Sequence, residues 1–199
     1  MLRVRRSELA KRATVDLHPT ASVGRVHVTG WGARGSITLG RRSVIEDGAI
    51  LQVSNGGRIE IGDDVLVRTG AVLNVSGRLE LRGSNLVSWH TVVHCAEHVV
   101  FEEMAGTGDG VTVVDSTHYH GAAGASDEHW YHNGRPAPIV IGRNTWLAAK
   151  STLGAGVTLG ARTTVAAHAV VRPGVYPDGA TLAGVPARIL DRNEQKDHE

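Results

Sequence analysis

His118 closes the run VTVVDSTH, with Asp115 three residues before it. An imidazole titrates near pH 6.5 and can take a proton from a hydroxyl at neutral pH, so a positioned His is a natural general base. Asp115 is close enough in sequence to orient that ring or to serve another polar contact. The residues that follow, 119–138, hold Tyr119, His120, Asp127, Glu128, His129, Trp130, Tyr131 and His132, which gathers much of the imidazole and aromatic content, three of the eleven His and three of the eight aromatics, in one segment. Such side chains suit a binding rim. A loop that packs on a neighbouring subunit is the alternative, and the two are compatible.

The elements that must position these residues announce themselves as a repeat. From Ile141, every sixth residue is Ile141, Leu147, Leu153, Leu159, Val165, Val171, Pro177 and Ala183. Four positions after each stands a mostly small residue: Thr145, Ser151, Val157, Thr163, Ala169, Val175, Thr181 and Ala187. Both sets are expected to point inward, in a coil of three short strands joined by tight corners, so that the eighteen residues from Ile141 to Leu159 close one turn. An earlier register runs Leu39, Ile45, Leu51; Ile61, Val67, Leu73; Leu81, Val87, Val93; and Phe101, Thr107, Val113. Between these groups the chain inserts GARGSITLG, SNGGRIEIG, VSGRLELRG and AEHVVFEEM at one recurring corner, where Gly admits positive φ and the alternating aliphatics read as strand. The coil that begins at Phe101 is expected to run unbroken to His118 and to resume at Ile139. Residues 119–138 then form a corner insertion of a length that is usually functional.

Stacked coils lie about 4.8 Å apart. That spacing predicts His98 one coil below His118, His94 under Val114 and Cys95 under Asp115, with His90 at the preceding corner beside Trp89.

Composition fits an elongated all-β domain. The 199 residues include 25 Gly, a single Phe and 41% hydrophobic residues, enough for a thin aliphatic core along an axis. We expect one domain over 1–190 and a polar tail over 191–199. Cys95 is alone, so no internal disulfide forms, and no apolar run approaches the roughly 18 residues of a membrane span. Without a secretory hydrophobic segment at the N-terminus, the expected setting is cytoplasmic. A net charge of +1 gives no reason to expect nucleic acid, and the basic residues Arg3, Arg5, Arg6, Lys11 and Arg12 read as a solvated segment.

VTVVDSTHYH, IGRNTWLAAKSTLGAGVTLG and AGVPAR together resemble the hexapeptide-repeat acyltransferases, in particular the maltose, galactoside and nodulation sugar O-acetyltransferases, over about residues 39–190. The resemblance implies an all-β fold, a left-handed parallel β-helix with a protruding loop, and the handedness rests on it, because parallel crossovers are otherwise right-handed. It implies acetyl-CoA, or another acyl-CoA, as co-substrate without a metal, and a carbohydrate acceptor. His118 matches the family's general base, which removes a proton from the acceptor hydroxyl as it attacks the thioester, with no acyl-enzyme. Trp89 and His90 stand where the resemblance implies an acceptor contact, and Tyr119 and Trp130 of the inserted loop are read with them as acceptor contacts on the binding rim. Trp146, Ala149, Ala167, Arg172 and Arg188 are the implied donor contacts, the guanidinium of Arg188 meeting a phosphate. A homotrimer with active sites between subunits follows from the same resemblance. The chain departs from the pattern in having Trp89-His90 near the family's acceptor-binding Asn, Ala148 for Gly, and Arg172-Pro173 for Thr-Lys.

Two other readings stay open. A zinc enzyme like the γ-type carbonic anhydrases shares the scaffold, but the spacing among His90, His94, His98, His118 and His120 does not reproduce its ligand set, and four-residue steps in a coil point different ways. A non-catalytic scaffold is also compatible with repeat architecture. The sequence does not select the acceptor or the acyl length.

Overall fold

The structure, a computed structural model, describes residues 13–118 and 134–190. Short apolar-alternating strands such as Gly35–Leu39 bury every second residue, here Gly35, Ile37 and Leu39. Two-residue strands such as Val44–Ile45 and four-residue strands such as Ile50–Val53 follow at successive corners. Repetition of this trio builds three parallel faces. The first holds eight strands from Ala13–Leu17 to Gly174–Tyr176, the second nine from Ser22–Val23 to Ala187–Ile189, and the third seven from His27–Thr29 to Val170–Val171. The result is a parallel β-solenoid of about eight turns, in keeping with a left-handed parallel β-helix. Among the described residues no helix is long and apolar enough to cross a membrane.

The core is a column on the axis. Leu39, Ile61, Leu81, Phe101 and Ile141 stack in register on the first face, and all are buried. Each such aliphatic contributes roughly 1.5–3 kcal/mol when fully buried. Ile141, Leu147, Leu153, Leu159, Val165 and Val171 are also buried, as their six-residue period requires.

The period then slips. Leu159 pairs with Tyr176 and Val165 with Leu182, so the last turn is one residue shorter than the eighteen-residue step. Leu182 therefore takes the inward place expected of Ala183, and Val175, expected inside, is 82% exposed. An antiparallel pairing of Leu182 with Ile189 closes the solenoid.

The larger departure is at the arm. The chain leaves the coil already at Ser116, and Ser116–His118 pairs antiparallel with Gly134–Pro136 before the first face resumes at Ile139. The expected unbroken coil to His118 is thereby corrected: the turn ends at Asp115.

Candidate functional site

Asp115 is fully buried at the root of the arm. Its Oδ1 accepts the Ala96 N–H at 2.6 Å, and its Oδ2 accepts those of Glu97 at 2.8 Å and His98 at 3.0 Å. Its carbonyl accepts the Ala137 N–H at 2.7 Å, on the returning side of the arm. The Ala137 carbonyl in turn accepts from Gly156 N–H at 3.1 Å, in the next turn. Asp115 thus ties the corner below to the arm. Its carboxylate is turned to that corner, a polar contact of the second kind the sequence allows for it. His118 itself stands on the exposed outgoing strand, opposite Gly134. Tyr119 and Trp130, with the rest of residues 119–133, lie outside the described residues.

His98 is not below His118. Its strand continues into Val99, which stacks against Ile139 beyond the arm, because the chain has turned outward before His118 is reached. The His98 ring instead meets Glu80 Oε1 at 2.8 Å, on a charged first face where Arg78 also pairs with Glu60 at 2.8 Å and Arg82 with Glu102 at 2.8 Å. Burial raises the Glu80 pKa, but the His98 hydrogen bond and the charges of Arg78, Arg82 and His98 outweigh it and hold the carboxyl below its ordinary range. His94 pairs with Val114 as expected. The Cys95 thiol is buried, and desolvation, reinforced by Asp115, pushes its pKa up to about 12. Its thiolate is therefore inaccessible at neutral pH.

The edge between the second and third faces carries a different set. Trp89 is 41% exposed, and the Arg68 guanidinium lies 4.0 Å from its ring centroid, a cation–π contact. His90 adopts φ 56°, and Gly70 below it leaves the space its ring occupies, since a Cβ there would strike that ring. Ala149 and Ala167 line the same edge higher up, where His168 N–H donates to the Ala149 carbonyl at 3.1 Å. Trp146 opens a second-face strand, stacks in register between Gly106 and Thr164, and is 43% exposed. A Cβ on Gly106 would come within 3.2 Å of the Trp146 ring, so the glycine lets the indole lie close over the strand below. Arg172 is exposed on the edge between the third and first faces, which is also the edge of the arm, and its carbonyl accepts from the Tyr176 hydroxyl at 2.9 Å. Arg188 projects from the closing strand Ala187–Ile189.

Within one chain, then, two edges are equipped separately. His118 and Arg172 belong to the third–first edge; Trp89, His90, Ala149 and Ala167 belong to the second–third edge. His90 at a corner, His94 on the third face and His98 on the first face also diverge, as the four-residue steps require. Among the described residues no three His, Cys, Asp or Glu side chains converge as a metal-ligand group. Sequence reasoning missed the polar cluster of Ser88, Thr91, Thr107 and Asp109 around the Trp89 corner, although Thr107 is visible as a polar residue in an aliphatic register.

Comparison with known proteins agrees with the fold. Residues 138–173 match the model for bacterial transferase hexapeptide (six repeats). A sequence comparison with curated proteins gives no match. Among solved structures, the polysialic acid O-acetyltransferase OatWY aligns with a TM-score of 0.68 at 17% identity, over 92% of this chain and 86% of its own. Variants of AntD, an N-acyltransferase from Bacillus cereus, align less closely. The complex with dTDP and coenzyme A has a TM-score of 0.55 at 15% identity, over 97% of this chain and 93% of that one. The complex with dTDP-4-amino-4,6-dideoxyglucose and coenzyme A has a TM-score of 0.52 at 16% identity, over 94% and 88%. Residues 138–173 thus match the bacterial transferase hexapeptide model, and the solenoid that contains them shares its fold with these acyltransferases.

Proposed function

We propose that this chain is an acyl-CoA-dependent acyltransferase that moves an acetyl group from acetyl-CoA to a hydroxyl of a sugar or glycan intermediate, with His118 as general base. The observation that carries the reading is the break in the solenoid. In a scaffold otherwise made of tight corners, one corner opens into an arm whose root Asp115 fixes above and below, and that arm presents an exposed imidazole. The fold shared with an O-acetyltransferase and an N-acyltransferase supports the same class of chemistry.

His118 takes the proton of the acceptor hydroxyl as its oxygen attacks the thioester carbonyl. The tetrahedral intermediate collapses, expels the CoA thiolate, and that thiolate receives the proton from the imidazolium. Asp115 acts through the backbone to hold the arm. Trp89 and His90, with Tyr119 and Trp130, contact the acceptor. Trp146, Ala149 and Ala167 receive the acyl-pantetheine arm along the second–third edge, while Arg172 and Arg188 meet phosphates. A homotrimer in which the arm edge of one copy meets the second–third edge of the next unites both halves.

Release of free thiol from acetyl- and longer acyl-CoAs, measured against sugars and amino sugars, tests the reading. Transfer to a hydroxyl that is lost in a folded, CoA-binding His118→Ala variant is the expected result. Near-normal transfer by that variant would overturn the base assignment. Transfer to amino groups alone would replace the hydroxyl acceptor with an amine. Absence of CoA binding would favour the scaffold, and stoichiometric zinc in purified protein the metal enzyme.

A further inference from the structure

The inward residue of the second face is aliphatic in turn after turn: Val23, Ile45, Val67 and Val87 below, Leu147, Val165 and Leu182 above, all buried. Between them stands Thr107, equally buried. A hydroxyl in an aliphatic column costs stability unless it is hydrogen-bonded, so its partners show what it is for. Two other buried hydroxyls have an ordinary explanation. Ser43 and Thr145 sit at corners and donate to the carbonyls of Gly62 and Gly160. Thr107 lies within the strand Gly106–Thr107 and bonds the corner below it.

That corner, residues 88–91, is where the regular ladder breaks. In the turns around it, the residue after the second-face strand donates its N–H to the backbone carbonyl of the turn above: Glu46 to Val67 at 2.8 Å, Arg68 to Val87 at 2.9 Å, Gly108 to Leu147 at 2.7 Å and Ala148 to Val165 at 2.8 Å. Ser88 instead donates its N–H to Thr107 Oγ1 at 2.9 Å. The strand pairing shortens at the same place. Neighbouring turns pair two residues each, as in Leu66 with Leu86 and Val67 with Val87, or Gly106 with Trp146 and Thr107 with Leu147. Leu86 pairs with Gly106, but the Val87–Thr107 pairing that would follow is missing from this ladder. The displaced corner is then secured by further bonds. Ser88 Oγ donates to Asp109 Oδ1 at 2.6 Å, and the Thr91 and Thr107 hydroxyls are 3.0 Å apart. The His90 N–H reaches the Thr69 carbonyl at 3.4 Å, whereas Gly48, Gly110 and Lys150 make the equivalent bond at 2.8 Å and His168 makes it at 3.1 Å.

We propose that Thr107 is a positioning residue whose buried hydroxyl holds the Ser88–Thr91 corner off the regular ladder and thereby sets the pose of Trp89 and His90 for the acceptor. The assignment rests on the proposed function in one respect, that this corner contacts the acceptor. A valine at position 107 matches the residues above and below it in the column. It removes the hydroxyl that Ser88 and Thr91 use and lets the Ser88 N–H return to the carbonyl of residue 107. The fold is kept, and the corner moves.

The test compares Thr107→Val and Thr107→Ser with the wild-type protein. Thr107→Val is expected to raise the acceptor KM about tenfold, the scale of one hydrogen bond's worth of positioning, with acetyl-CoA KM unchanged. Thr107→Ser, which keeps the hydroxyl, is expected to restore it. Trp89→Ala separates the two layers of the argument. If Trp89→Ala leaves the acceptor KM unchanged, the reading of this corner as acceptor contact fails. If Trp89→Ala raises it and Thr107→Val does not, the positioning role fails. Ser88 amide exchange and Trp89 fluorescence report on the corner without any substrate, and unchanged values in Thr107→Val would equally overturn the proposal.

Discussion

Asp115, itself fully buried, joins three part-buried backbone donors to the arm, and this makes it sensitive to a change as small as Asp115→Asn. An amide offers one oxygen where the carboxylate offers two, so its NH2 group must face either the Ala96 N–H or the Glu97 and His98 pair. A buried donor left unmet costs about 1–3 kcal/mol. Asp115→Asn is expected to lower denaturation stability by that amount and to reduce kcat, while the pH–rate profile keeps its shape. A displaced acid limb would mean that Asp115 acts on His118 directly. Cys95 yields a pH effect of definite sign. Its folded pKa of about 12 stands above the ordinary 9.0, so the unfolded chain ionises first as pH rises. Stability from the buried thiol is complete below 9.0 and is lost toward about 12, at roughly 1.4 kcal/mol per pH unit. Cys95→Ala is expected to flatten this part of the alkaline stability curve relative to the wild type, and equal slopes would sink the idea. Asp115 and Thr107 also show what a sequence withholds. Asp115 was singled out by its place before His118 and Thr107 was read only as one position of the register, yet the partners of both lie a full turn away, and hydrogen-bond direction has no signature in the residue spacing.

At the scale of strands and turns, the aliphatic period made the faces legible because a wrongly placed Ile or Leu would lose burial in every turn. Leu39, Ile61, Leu81 and Phe101 stack as their spacing requires. The slip near Val175 was hidden because Val suits either side of a strand and the small residues around it carry no strong preference. The arm's start at Ser116 was hidden for a related reason: three-residue antiparallel strands are too short to show alternation. The second face offers a direct test of the donor assignment. Gly106→Val places a side chain where the Trp146 ring rests, so the indole must lift. The acetyl-CoA KM is expected to rise severalfold while acceptor KM and melting temperature change little. An unchanged acetyl-CoA KM would remove Trp146 from the donor site.

For the whole molecule, the separation of the two equipped edges is the consequential fact. Each turn of a solenoid contacts only its neighbours, and among the described residues the arm edge with His118 and the Trp89 edge stand on opposite sides of the third face. Symmetric association is the economical way to bring them together, because a cyclic arrangement repeats one contact between unlike edges. This makes complementation the sharpest test of the proposed assembly. His118→Ala and Trp89→Ala chains, each inactive or strongly impaired alone, are refolded or co-expressed together. If each site takes His118 from one copy and Trp89 from the next, random mixing restores about a quarter of the wild-type sites. If both residues serve a site within one chain, every site in the mixture lacks one of them and activity stays at the level of the separate variants. Sedimentation of the mixed species, run beside the activity measurement, establishes that the two chains have associated, so that a negative result counts against the shared site.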